Sequence, residues 1–122
     1  MDIGSFGDWL ARYFRAWASN DPADVGALFA EDAEYFTGPF SVPQQGRAAI
    51  VERWTGGVQM DVRASFEPLA VNGDVGVAHW NVRSRTVAGS LREWDGMLVI
   101  TFDAGGRCRE HREWYDVRDL PD

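Results

Sequence analysis

Lysine is missing altogether: all 12 basic residues are arginine, scattered singly against 19 aspartates and glutamates. A Schiff-base lysine mechanism is thereby excluded. A net charge of −7 with no basic block also sets nucleic acid and anionic membrane surfaces aside as expected partners. The one cysteine, Cys108, can form no internal disulfide, and no neighbouring base equips it as a nucleophile. No apolar run approaches membrane-spanning length. The first residues lack the basic start and apolar stretch of a secretion signal, so a cytoplasmic protein is expected. Histidine occurs only twice, in neither H-x-x-x-H nor Cys/His spacing, so no metal is expected. No serine sits in a nucleophile elbow and no glycine-rich loop leads from a strand into a helix.

Aromatic residues are what the chain has in plenty, six of them tryptophan in 122 residues. That length fits a single domain, 1–122, which can bury a core without staples. Phe6, Trp9, Leu10, Tyr13, Phe14 and Trp17 recur at helical spacing and predict a helix over 5–19 with a buried aromatic stripe. Asn20-Asp21-Pro22 is a cap followed by a helix-opening proline, and Val25, Leu28 and Phe29 mark a short second helix. A strand is expected around 33–37. The segment 38–46, with Pro39 and Pro43, reads as a loop, and Ile50, Val51 and Trp54 place a third helix that ends at Gly56-Gly57.

From residue 60 the period becomes two. Met60, Val62, Ala64 and Phe66 alternate with polar residues, and Asn72-Gly73, Ala88-Gly89 and Asp103-Ala104-Gly105-Gly106 supply turns. Four antiparallel strands are predicted, over 60–71, 74–87, 91–102 and 107–118. Helices first and strands afterwards point to an α+β fold with the helices on one face of the sheet.

This order of elements, with LFAEDAEYFTGP at 28–39 and HREWYDV at 111–117, resembles the nuclear-transport-factor-2-like superfamily, and within it the SnoaL-like branch. The resemblance implies a cone-shaped, cystatin-like roll: three N-terminal helices on a curved, mainly antiparallel sheet, around a pocket for a small molecule. It implies no cofactor, and a homodimer formed through the convex face of the sheet. Set against ketosteroid isomerase, Tyr13 falls at the oxyanion-hole tyrosine, but Thr37 falls at the base aspartate and the second aspartate falls at or near Leu98. Set against limonene epoxide hydrolase, Glu113 falls at the last-strand carboxylate and Tyr35 and Thr37 at the water-binding tyrosine and asparagine. His79 and Asn81 fall there at the arginine and aspartate of the central strand. Neither catalytic set is complete. A cofactor-free isomerase, cyclase or hydrolase and a non-catalytic binding or dimerisation module both remain open.

These registers give His79, Asn81 and Arg83, Trp94, Gly96 and Leu98, and His111, Glu113 and Tyr115 one concave face. The opposite parity would put Trp80, Val82 and Trp114 inside instead. In the first arrangement Glu113 is a candidate base, its pKa raised by desolvation; alternatively it pairs with Arg83 or Arg109 and orders the sheet. His111 and His79 complete a proton relay or satisfy backbone groups. Tyr13 and Tyr35 stabilise an oxyanion or pack the core. Trp17, Trp54 and Trp94, joined by Thr37, Asn81, Arg83, Leu98 and Tyr115, would bind the substrate, and the indole walls predict a small, apolar, ring-containing ligand.

Overall fold

The computed structural model describes residues 1–121. Helix α1 runs over Ile3–Ser19, opened by a capping box in which Asp2 accepts from the Ser5 N–H at 2.8 Å and the Ser5 hydroxyl accepts from the Asp2 N–H. Its stripe of Phe6, Trp9, Leu10, Tyr13 and Phe14 is buried, and the helix ends on Asn20 at φ 54°. Asp21 caps α2, Pro22–Gly26, by accepting from Ala23 N–H. Strand β1 spans Phe29–Phe36, β2 Gln44–Gln45, and helix α3 Arg47–Thr55; then β3 Met60–Asn72, β4 Val75–Arg85, β5 Leu91–Phe102 and β6 Cys108–Asp119 follow.

The six strands form one sheet in the order β2-β1-β6-β5-β4-β3. The meander β3 to β6 is antiparallel. Strand β1 lies parallel beside β6, so the last strand is enclosed between the first long strand and β5. Helix α1 packs against β3, and one core joins α1, α2, α3 and the inner sheet face. Among the described residues no helix is long and apolar enough to cross a membrane.

Two expectations are corrected here. The second helix stops at Gly26, and Leu28 and Phe29 lie outside it. The sheet claims that backbone: the Leu28 carbonyl accepts from Cys108 N–H at 2.9 Å and from Trp9 Nε1 at 3.3 Å, and β1 begins at Phe29, four residues before the expected strand. Within the expected loop 38–46, Gln44 and Gln45 pair with Tyr35 and Glu34 as a short edge strand, supported by Gln45 Nε2 donating to Glu34 Oε2 at 2.9 Å.

Candidate active site

Register fixes which side chains can meet. On β5, Trp94, Gly96, Leu98 and Ile100 share the helix-covered face, and their partners on β6 are Val117, Tyr115, Glu113 and His111. Strand β4 joins them through Val82, Trp80, Ala78 and Gly76. Gly96 is needed where it stands. A Cβ there would run into the Trp114 carbonyl and come within 2.7 Å of Tyr115 Cβ. The bare backbone lets Trp80 and Tyr115, one on each neighbouring strand, approach to 6.2 Å between ring centroids.

Above that floor opens a cleft of about 340 Å³, within the range of small-molecule sites. Its aromatic walls are Trp17 of α1, Tyr35 of β1, Trp54 of α3 and Trp94 of β5, over Trp80 and Tyr115; Glu113, Arg53, Gln59 and Asn20 supply the polar groups.

Glu113 is only 7% exposed. Burial pushes its carboxyl up to about 7, against the opposing pull of the Arg53 guanidinium and the Tyr35 hydrogen bond. Tyr35 donates from its hydroxyl to Glu113 Oε1 at 3.5 Å. Neither Arg83 nor Arg109 reaches Glu113: Arg83 pairs with Glu93 at 3.1 Å and Arg109 with Asp74 at 3.5 Å. Arg53 lies exposed at the end of α3, its guanidinium carbon 6.0 Å from the Tyr35 ring centroid. Among the described residues it makes no ion pair.

Behind the floor, fully enclosed, His111 stacks on Tyr35 at 4.0 Å between centroids and shares a 2.9 Å hydrogen bond from Nε2 with the Tyr13 hydroxyl. Burial pushes the imidazole down to about 3, so it is neutral at any physiological pH. Burial likewise raises both tyrosine hydroxyls well above their ordinary value. Each therefore stays protonated and able to donate.

The cleft thus gathers Glu113, Tyr35, Trp17, Trp54, Trp94 and Tyr115 from among the residues singled out in the sequence. Tyr13 and His111 stand directly behind it. Leu98, fully buried, is the β5 partner of Glu113 but does not line the cleft. Thr37 falls just beyond β1, its N–H donating to Ser41 Oγ at 3.0 Å, outside the cleft.

His79, Asn81 and Arg83 are a correction. They point to the opposite, outer face. Ala78, Trp80, Val82 and Ser84 are the buried members of β4, because cross-strand partners share a face and Trp80 is paired with Gly96. Out there His79 Nε2 meets Asp95 at 2.9 Å, and Asn81 bridges Asp95 and Glu93. Hydrogen bonds from Arg118, then Asn81, hold the Glu93 carboxyl down at about 2. Trp80 and Val82 consequently belong to the interior, leaving Trp114 alone of that trio on the outer face. Arg53, Gln59 and Asn20 also line the cleft without being among the site candidates read from the sequence, and Trp80 lines it as the opposite parity of β4 had it. Arg53 was within reach: it follows buried Ile50 by three residues and precedes Trp54, on the flank of the helix face that meets the sheet. Gln59, just after a Gly-Gly turn, carries no such signal.

Residues 10–111 match the profile of the SnoaL-like domain. The chain belongs to the SnoaL-like family. This SnoaL-like protein is 34% identical over 112 residues to a steroid Δ-isomerase of Nocardioides simplex, covering 91% of this chain and 89% of the relative. Its fold is that of a Δ5-3-ketosteroid isomerase from a Mycobacterium species, with a TM-score of 0.81 at 13% identity, over 98% of this chain and 100% of that one. It is also similar to an epoxide hydrolase/cyclase-like enzyme of pyran ring formation in the polyether salinomycin, with a TM-score of 0.78 at 17% identity, over 93% and 95% of the two chains. These neighbours have the nuclear-transport-factor-2-like fold, and the family points to isomerase- or cyclase-type function on small molecules.

Proposed function

We propose that this SnoaL-like protein is a cofactor-free proton-transfer enzyme of isomerase or cyclase type, acting on a small, ring-containing apolar molecule with Glu113 as both acid and base. One observation carries the reading: a carboxyl buried beneath indole walls, pushed up to about 7 and held by a tyrosine hydroxyl rather than an ion pair. Such a group takes and returns a proton near neutral pH. In an allylic isomerisation the carboxylate removes a proton from the carbon between a ketone and a double bond, and the C–H electron pair moves into a dienolate. The dienolate then takes the same proton at the far carbon of the double bond, which regenerates the carboxylate. No electron is gained or lost.

Charge on the enolate oxygen needs donors, and we assign Arg53 to it together with the Tyr35 O–H, which rests on Glu113 in the free protein and turns to the enolate oxygen as the carboxylate takes up its proton. Tyr13 and His111 we assign to positioning: stacked and hydrogen-bonded behind Tyr35, they hold its ring. The 34% identity to a steroid Δ-isomerase supports a Δ5-3-ketosteroid as the first substrate to try, turnover being followed by the ultraviolet absorbance of the conjugated enone. Glu113→Gln is expected to lower turnover on the order of 10²–10⁴-fold. Wild-type turnover in that variant would rule the mechanism out.

A second reading, a non-catalytic binding module, is favoured by one fact: Thr37, at the position matched to the base aspartate of ketosteroid isomerase, lies outside the cleft. Quenching of tryptophan fluorescence by cyclic enones without any turnover would select it. We further propose that the outer sheet face seats a second copy of the chain, supported by Trp114, 41% exposed there and paired across the strands with Met97.

A further inference from the structure

Gln59 sits between α3 and β3 on the wall of the cleft, and its amide is oriented by two fixed donors. Trp17 Nε1 donates to Gln59 Oε1 at 2.9 Å, and the buried Ser84 hydroxyl donates to the same oxygen at 3.0 Å. An indole N–H can only donate, so the atom facing Trp17 must be the carbonyl oxygen. The –NH2 end then faces elsewhere. Among the described residues Nε2 has no hydrogen-bond acceptor, and it is not among the buried atoms left without a partner. Two N–H donors are therefore left open to solvent, already oriented, on a residue that lines the cleft.

Position adds to this. Ser84 lies six residues along β4 from Ala78, whose rung runs through Leu98 to Glu113. Six residues of strand, about 20 Å of backbone path before the side chains reach inward from both sides, put Gln59 and Glu113 toward opposite ends of the cleft. A single ring is too short to touch both.

We infer that Gln59 is a specificity-determining residue, donating from Nε2 to a carbonyl or ether oxygen at the end of an elongated, multi-ring ligand remote from Glu113. This rests on the reading of the cleft as a site for ring-containing apolar molecules, but not on turnover. Ser84 is a positioning residue that acts through the Gln59 amide. The preference is for an acceptor oxygen: a hydrocarbon end leaves the amide donors dry and unpaired, which is costly.

The test is tryptophan-fluorescence titration of the wild-type chain with two ring-matched probes, 4-androstene-3,17-dione and 4-androsten-3-one, which differ only in the distal ketone. Wild type is expected to bind the dione about five- to tenfold more tightly, the worth of one neutral hydrogen bond. Gln59→Glu keeps the oxygen that Trp17 and Ser84 need and removes the donor, so the ratio should fall to about one or below. Ser84→Ala should lower the ratio in part and Ser84→Thr restore it, which a merely structural serine would not do; these two variants also decide the matter if Gln59→Glu does not fold. A wild-type ratio near one, or a ratio unchanged in Gln59→Glu or in Ser84→Ala, overturns the role of Gln59 while leaving the cleft intact as a binding site. Failure of both probes to bind wild type overturns the site for multi-ring ligands, and this role with it.

Discussion

Two buried titratable groups, two residues apart on β6, respond to pH in opposite senses. Glu113 stands at about 7 when folded against an ordinary 4.5. The folded chain therefore holds that proton more tightly, and the contribution, complete below about 4.5, is lost as pH rises through about 7. His111 stands at about 3 against 6.5, so its contribution is complete above 6.5 and is lost as pH falls toward 3. Between 4.5 and 6.5 the two slopes cancel. Urea denaturation across pH should show a plateau there, with stability declining on either side. Glu113→Gln should remove the alkaline decline, gaining up to roughly 3 kcal/mol at mildly alkaline pH, and expose a steady acid decline below 6.5. A variant with an unchanged profile would contradict the burial of the carboxyl. If Glu113 is the base, kcat/KM should rise with pH to a plateau with its midpoint near 7. The shared face of His111, Glu113 and Tyr115 was legible in the sequence because strand alternation permits nothing else. The placing of His79, Asn81 and Arg83 was not: Trp80 and Val82 are apolar enough for a core or for a subunit interface, and only their pairing with Gly96 and Trp94 puts them inside.

At the scale of elements, the helical stripe of α1 and the turns of the meander could be read because each rests on local chemistry, an amphipathic period or an Asn-Gly pair. The end of α2 could not, since apolar Leu28 and Phe29 suit a helix and a buried strand equally well, and only pairing with distant Cys108 decides between them. The same dependence on distant residues hides the importance of Gly96, an ordinary strand glycine until β6 is laid against it. Gly96→Ala should cost about 1–3 kcal/mol by overpacking, read by thermal or urea denaturation. It should also weaken ligand binding, because Trp80 and Tyr115 form the cleft floor on either side of it. Unchanged stability would mean that β5 and β6 can separate without penalty.

For the whole molecule, one face of the sheet is closed by helices and carries the cleft, while the other offers salt-bridged polar pairs around an exposed tryptophan. Light scattering of the wild-type chain at micromolar concentration should give the mass of a dimer, and Trp114→Glu should give that of a monomer with its melting behaviour otherwise intact. A monomeric wild type would remove the outer face from consideration as a self-association surface.

The enclosure of β6 between β1 and β5 has a further consequence for how the protein comes into being. During synthesis β1 leaves the ribosome long before its parallel neighbour, and the aromatic stripe of α1 must wait with it. Both the middle of the sheet and the carboxyl beneath the cleft arrive together, with a strand made after its five sheet partners. A nascent chain stalled before Cys108 would therefore be sticky and inert at once, a client for chaperones, and assembly and competence would be gained in a single late event.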